Sequence, residues 1–127
     1  MEYAPIIVMR ALLEYIWFTV RVGASRGKYE VKAPNCTGDD TFERLFRVQQ
    51  NTLEQLIIFI PGIFAFAHFV SVKWSWLPGG LFIVGRFMYS SEYINKPDSR
   101  VPGMSMTLLA NAICVIGALF VLITGLF

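Results

Sequence analysis

Glu43-Arg44-Leu45-Phe46-Arg47-Val48-Gln49-Gln50-Asn51-Thr52-Leu53-Glu54 leads directly into Gln55-Leu56-Ile57-Ile58-Phe59-Ile60-Pro61-Gly62-Ile63-Phe64-Ala65-Phe66-Ala67. Charges and amides enter a run apolar enough to cross a bilayer, with no glycine or proline before Pro61. One helix is therefore expected to carry both halves. On it Glu43, Arg47, Asn51 and Glu54 follow i, i+4, i+8, i+11 spacing and share a face. Arg47, Asn51 and Glu54 would stand at or below the membrane boundary, where ionisable groups are costly unless paired or set in a polar cavity. Two readings are open. In one, Arg47 and Glu54 pair and Asn51 bonds a neighbouring helix. In the other, the face is a pocket for a charged, water-soluble ligand, with Arg47 and Asn51 donating and Glu54 accepting from an ammonium.

The rest of the chain agrees with a membrane setting. Of its 127 residues 55% are hydrophobic and 16% charged, where a soluble domain carries about 25% charged residues. The mean hydropathy of +0.54 points the same way. A formal net charge of +2 without a basic block argues against nucleic acid as a partner. One histidine and two cysteines are too few for a zinc site of ordinary ligand number, so no metal is expected. Cys36 falls in a polar loop and Cys114 in an apolar run, so no disulfide is expected between them. The first apolar run lacks a basic leader and a small-residue cleavage site. It is expected to be retained as a span.

Four spans are expected, at about 4–22, 43–72, 79–95 and 104–127, in a single domain covering 1–127. In the first, Arg10 and Glu14 are i, i+4 neighbours expected to pair within a bundle. The connection 23–41 is polar, is punctuated by Gly27, Pro34 and Gly38, and carries Arg26, Lys28 and Lys32. As the longest and most basic connection it is expected in the cytoplasm. In the second span Pro61 is expected to kink the helix, and His68 reads as a packed or interfacial residue. Lys73, Trp74 and Trp76 read as an interface anchor on the opposite side. In the third span Arg86, Tyr89 and Tyr93 are spaced i, i+3, i+7. Their shared face lies at the same end as Arg47, Asn51 and Glu54, as either an aromatic belt with a snorkelling arginine or part of a site. Arg100 stands between Pro97 and Pro102 at that end. The last span has no charged residue, and Asn111 is expected to make an interhelical hydrogen bond. Four spans place both termini on the non-cytoplasmic side.

Arginines and tyrosines around one buried carboxylate suit a small peptide-like anion, because guanidinium forks take carboxylates in bidentate fashion. Arginine or tyrosine beside a thiol also favours the thiolate. Here the residues carry a resemblance. Glu43-Arg44-x-x-Arg47-x-Gln49-x-Asn51-x-x-Glu54 before an apolar span resembles the signature of the MAPEG superfamily, the membrane-associated proteins of eicosanoid and glutathione metabolism. Gly85-Arg86-x-x-Tyr89-x-x-x-Tyr93 and Arg100-x-Pro102-Gly103 resemble it too, and the likeness covers essentially the whole chain.

The resemblance implies an all-α integral membrane protein, a four-transmembrane-helix bundle forming a homotrimer in membrane lipid. It implies glutathione as co-substrate, bound between subunits at the cytoplasmic side. Arg47, Asn51, Glu54, Tyr89 and Tyr93 would match glutathione-binding positions. Arg26 and Gln49 would match residues near the glutathione carboxylate, and Arg100 the arginine that holds the thiolate. The implied chemistry is conjugation of a lipophilic electrophile or reduction of a lipid hydroperoxide. Gln55 stands where the leukotriene-synthase branch has a tyrosine, and Gly27 where it has a second arginine. Both departures favour a general, bacterial-type transferase over leukotriene chemistry. A non-catalytic lipid-binding member and a glutathione-dependent lipid isomerase are the alternatives, and a structural membrane protein is the bland one.

Overall fold

The computed structural model describes residues 3–95 and 101–125. It is a bundle of four helices: α1 (Tyr3–Lys28), α2 (Asp40–Ala65), α3 (Trp76–Asn95) and α4 (Val101–Gly125). A π-helical turn (Phe66–Val70) and a 3₁₀ turn (Lys73–Ser75) connect α2 to α3. Among the described residues, 40–70 and 102–125 are the two stretches long and apolar enough to cross a membrane by length and composition. With 26 and 20 residues, α1 and α3 are long enough at about 1.5 Å per residue, but each turns polar side chains into the bundle.

Helix α1 runs on to Lys28, six residues beyond the end expected at 22. Neither Gly23 nor Gly27 stops it, although each costs about 1 kcal/mol of helix propensity relative to alanine. The helix is closed instead by its far end. Val31 N–H donates to Arg26 O at 3.0 Å and Tyr29 N–H to Ser25 O at 2.9 Å. Glu30 takes the left-handed conformation (φ 57°) where a helix end more often has glycine. Helix α2 begins at Asp39, whose extended backbone and carboxylate cap the first turn, Oδ1 accepting from Phe42 N–H at 3.0 Å. Asp39→Ala is expected to cost about 1 kcal/mol in thermal unfolding in detergent. An unchanged midpoint would show that the cap contributes nothing.

Pro61 does not end α2. The helix passes through Pro61 and changes pitch only at Phe66–Val70, where Ser71 N–H reaches back to Phe66 O at 3.0 Å. The π turn ends beside α4. One turn before it, at Gly62 of α2, a β-carbon would stand 3.1 Å from Cys114 Cβ.

The core follows from the helical stripes. Ala4, Val8 and Ala11 of α1 meet Leu56, Phe59 and Ile63 of α2, Phe82 of α3, and Ala110 and Cys114 of α4. Phe59 and Phe82 stack with centroids 3.9 Å apart. Nearer the other end Phe18, Val48 and Tyr89 form a second cluster, flanked by Tyr93 and Met104. The α1 stripe continues through Glu14, which is buried, while Ile6, Met9, Leu13 and Ile16 point outward. A bundle with apolar side chains on its outside suits hydrocarbon, where close packing and internal polar bonds hold helices together.

Candidate functional site

The polar end of the bundle is where α1 finishes, α2 begins and α3 ends. Arg47 is exposed there. With Asp40, Glu43, Arg44 and Phe46 of α2, Cys36 of the preceding loop and Tyr93 of α3, it lines a cavity of about 470 Å³. That volume is within the roughly 300–1,000 Å³ of small-molecule sites. Glu43 is held toward the loop, its Oε2 accepting from Gly38 N–H at 3.2 Å.

One turn deeper on the same face of α2, Asn51 is half-buried, and its Oδ1 is buried without a hydrogen-bond partner. Glu54 follows, exposed beside Leu53, Ile57 and Ile58. From α3, buried Tyr89 and half-buried Tyr93 stack with centroids 5.5 Å apart. The face predicted from i, i+4, i+8, i+11 spacing is thus one continuous surface, and within this single chain its outer part is open.

Two predicted residues stand away from it. Gln49 lies two positions after Arg47, about 200° around the helix, and its Nε2 donates to Thr19 Oγ1 of α1 at 3.1 Å. Arg26 donates to Asn35 O at 2.7 Å, and its guanidinium lies 4.9 Å from the Phe42 ring centroid. The chain does not bring Arg26 and Gln49 to Arg47. Arg100 lies outside the described residues.

Arg86 differs from the snorkelling reading. It is fully buried. Its Nη2 donates to Thr52 Oγ1 of α2 at 3.0 Å and its Nη1 lies 3.5 Å from Thr107 Oγ1 of α4. The guanidinium carbon is 4.4 Å from the Tyr89 ring centroid, a cation–π contact inside the bundle. Sequence reasoning missed Thr52 and Thr107. A threonine in an apolar helix commonly bonds its own i−4 carbonyl, and both do so here, to Val48 O and Gly103 O. Nothing in a single sequence marks them as arginine partners.

Arg10 acts electrostatically on Glu14, as the i, i+4 spacing predicts, but does not hydrogen-bond its Oε1. Arg10 is exposed, while Glu14 is buried with Oε1 lacking a partner. Asn111 makes the expected interhelical bond, Nδ2 donating to Gln55 Oε1 at 2.8 Å. His68 is exposed and packs edge-on against Phe69, with centroids 4.6 Å apart. A groove of about 340 Å³ between α2 and α4, bounded by Ile58, Pro61, Gly62 and Ala118 among others, has only apolar walls and adds nothing to recognition of a charged ligand.

The chain is similar to known proteins over most of its length. The model of the MAPEG family matches residues 5–120. An uncharacterized protein of Synechocystis sp. is 36% identical over 117 residues, covering 92% of this chain and 85% of that protein. Human microsomal glutathione S-transferase 2 is 33% identical over 104 residues, covering 81% of this chain and 71% of that protein. Bovine leukotriene C4 synthase is 26% identical over 98 residues, covering 77% and 65%.

Proposed function

The chain belongs to the MAPEG family, a family of membrane helical bundles, and from that premise we propose that it is a glutathione-dependent transferase acting on lipophilic electrophiles. One observation carries the reading. Arg47 and Tyr93 line one cavity on a face that continues to Asn51 and Glu54. Glutathione presents two carboxylates, an ammonium, two amides and a thiol. Arg47 takes a carboxylate as a charge-assisted pair. Glu54 takes the ammonium, and Asn51, half-buried on the same helix face, offers its side-chain amide to a peptide group. Tyr93 lines the cavity and Tyr89 stacks behind it. The kinship with a protein named microsomal glutathione S-transferase supports glutathione as the thiol.

The 127 residues act as one domain and assemble as a homotrimer. A neighbouring subunit brings Arg26 and Gln49 to the glutathione carboxylate, which one chain by itself keeps apart from Arg47. The basic 23–41 connection and the site face the cytoplasm, and both termini lie on the other side. Arg100 stabilises the thiolate. In conjugation the thiolate sulfur forms a bond to the electrophilic carbon, and the leaving group departs or, in an addition, the adjacent carbon takes a proton. In reduction of a lipid hydroperoxide two glutathiones are oxidised to the disulfide, and the hydroperoxide becomes alcohol and water.

The test is the ultraviolet difference spectrum of the purified protein with glutathione. A thiolate band is expected at neutral pH in the wild type and is expected to vanish in Arg100→Ala. Complete absence of glutathione binding would overturn the reading. Arg47→Ala removes a charge-assisted contact of about 1.5–3 kcal/mol, so it is expected to raise the glutathione Kd by about tenfold to a hundredfold. An unchanged Kd would remove Arg47 from the site.

A further inference from the structure

All four helices send a polar side chain into the interior near Arg86. Glu14 of α1, Thr52 of α2, Arg86 of α3 and Thr107 of α4 are 7%, 0%, 0% and 1% exposed. The threonine hydroxyls take Arg86 Nη1 and Nη2 and commit their own protons to backbone carbonyls. Two atoms are left over. Arg86 Nε and Glu14 Oε1 are buried without a hydrogen-bond partner. One is a donor and the other an acceptor. They come from helices that pack together, and Glu14 feels the charge of Arg10 on its own helix and then that of Arg86 across the interior, without a direct hydrogen bond to Arg86. Unpaired charged groups in a bundle interior are among the costliest arrangements a membrane protein can hold. Buried waters typically fill such places, where several polar groups surround one point.

We propose that one water binds between Glu14 and Arg86, accepting from Nε and donating to Oε1, and that the resulting α1–α3 couple makes Glu14 a positioning residue for the thiol site. The route to the site is short. Arg86 lies against the Tyr89 ring, Tyr89 stacks on Tyr93, and Tyr93 lines the cavity. A second tie between the same helices, Arg21 Nη1 to Ser90 Oγ at 3.2 Å, lies further toward the polar end. Loss of the water couple leaves the Arg86 guanidinium held at Nη1 and Nη2 alone, and a shift there passes to the Tyr89 ring that lies against it. The positioning role rests on the glutathione reading, whereas the couple itself does not.

The experiment uses the full chain purified in detergent, as wild type, Glu14→Leu, Arg86→Leu, the double leucine variant and Glu14→Gln. Thermal unfolding without ligand reads the couple. Each single leucine variant is expected to unfold about 10 °C lower, and the double variant above both singles, because it buries no unpaired charge. A double variant below both singles, or one that does not fold, overturns the couple. The Kd for glutathione reads the positioning. Glu14→Leu is expected to weaken binding by about tenfold, while Glu14→Gln, which keeps an acceptor for the water, stays within about threefold. An unchanged Kd in Glu14→Leu overturns the positioning role. Wild-type protein that binds no glutathione fails the functional reading and the positioning role together, and the unfolding cycle still decides the couple.

Discussion

Gly103→Ala is expected to cost about 3 kcal/mol or more of stability, the upper end of what overpacking does in a well-filled interior. A β-carbon at Gly103 would stand 2.4 Å from Tyr89 N, 2.6 Å from Tyr89 Cα and 2.9 Å from Gly85 O. All three are backbone atoms, so no rotamer change relieves the clash, and α3 and α4 must move apart. They are held from the other side as well, since a side chain at Gly85 would meet Met106 Cβ at 2.9 Å and Thr107 N at 3.1 Å. Small residues that let two backbones touch are the usual means of tight helix contact in membranes. The damage would reach Tyr89 and the Arg86–Thr107 contact together. Gly80→Ala is the control. Nothing lies within 4 Å of its built β-carbon, so it is expected to be neutral or to stabilise by up to about 1 kcal/mol. Unfolding of the two variants side by side in detergent checks the argument, and a Gly103→Ala protein within about 0.5 kcal/mol of wild type would refute it.

The second large effect is at Arg86. Arg86→Leu is expected to cost about 3–5 kcal/mol, the range found when one member of a buried charge pair is removed. The loss does not come from the threonines, because Thr52 and Thr107 keep their bonds to Val48 O and Gly103 O. It comes from Glu14, 7% exposed on the facing helix, which would be left with only the exposed Arg10 acting on it. Loss of the stacked Tyr89 contact adds to this. Arg86→Lys is expected to recover little. A lysine ammonium has no planar fork to reach two helices at once and no flat face for the Tyr89 ring. Denaturation midpoints of the leucine and lysine variants measure the effect, and a leucine variant as stable as wild type would show that Glu14 is satisfied without Arg86.

Much of the site was legible in the order of residues. Helical periodicity alone puts Arg47, Asn51 and Glu54 on one face and Arg86, Tyr89 and Tyr93 on another, since side-chain direction on a helix follows the residue count. The apolar run after Glu54 and the uncharged run after Gly103 likewise identified the two stretches that pass as spans by composition. Helix ends were less legible. The polar composition after 22 reads as a connection, yet α1 continues to Lys28 because its closure depends on Val31 and Glu30 folding back. The change of pitch at Phe66–Val70 has no glycine or proline to announce it.

What only the tertiary structure decided is who partners whom across helices. Glu14 has Arg10 one turn away in sequence and keeps it as an electrostatic partner, but the helix rotation that buries Ala11, Glu14 and Phe18 together leaves Arg10 exposed and brings Glu14 within reach of Arg86 as well. Arg86 is bound to threonines 34 and 21 residues away. The sequence by itself determined the helices, their polar faces and the family. The packing of four helices determined that Arg86 is an interior charge rather than a snorkelling one, because that outcome depends on which face of each helix the others cover.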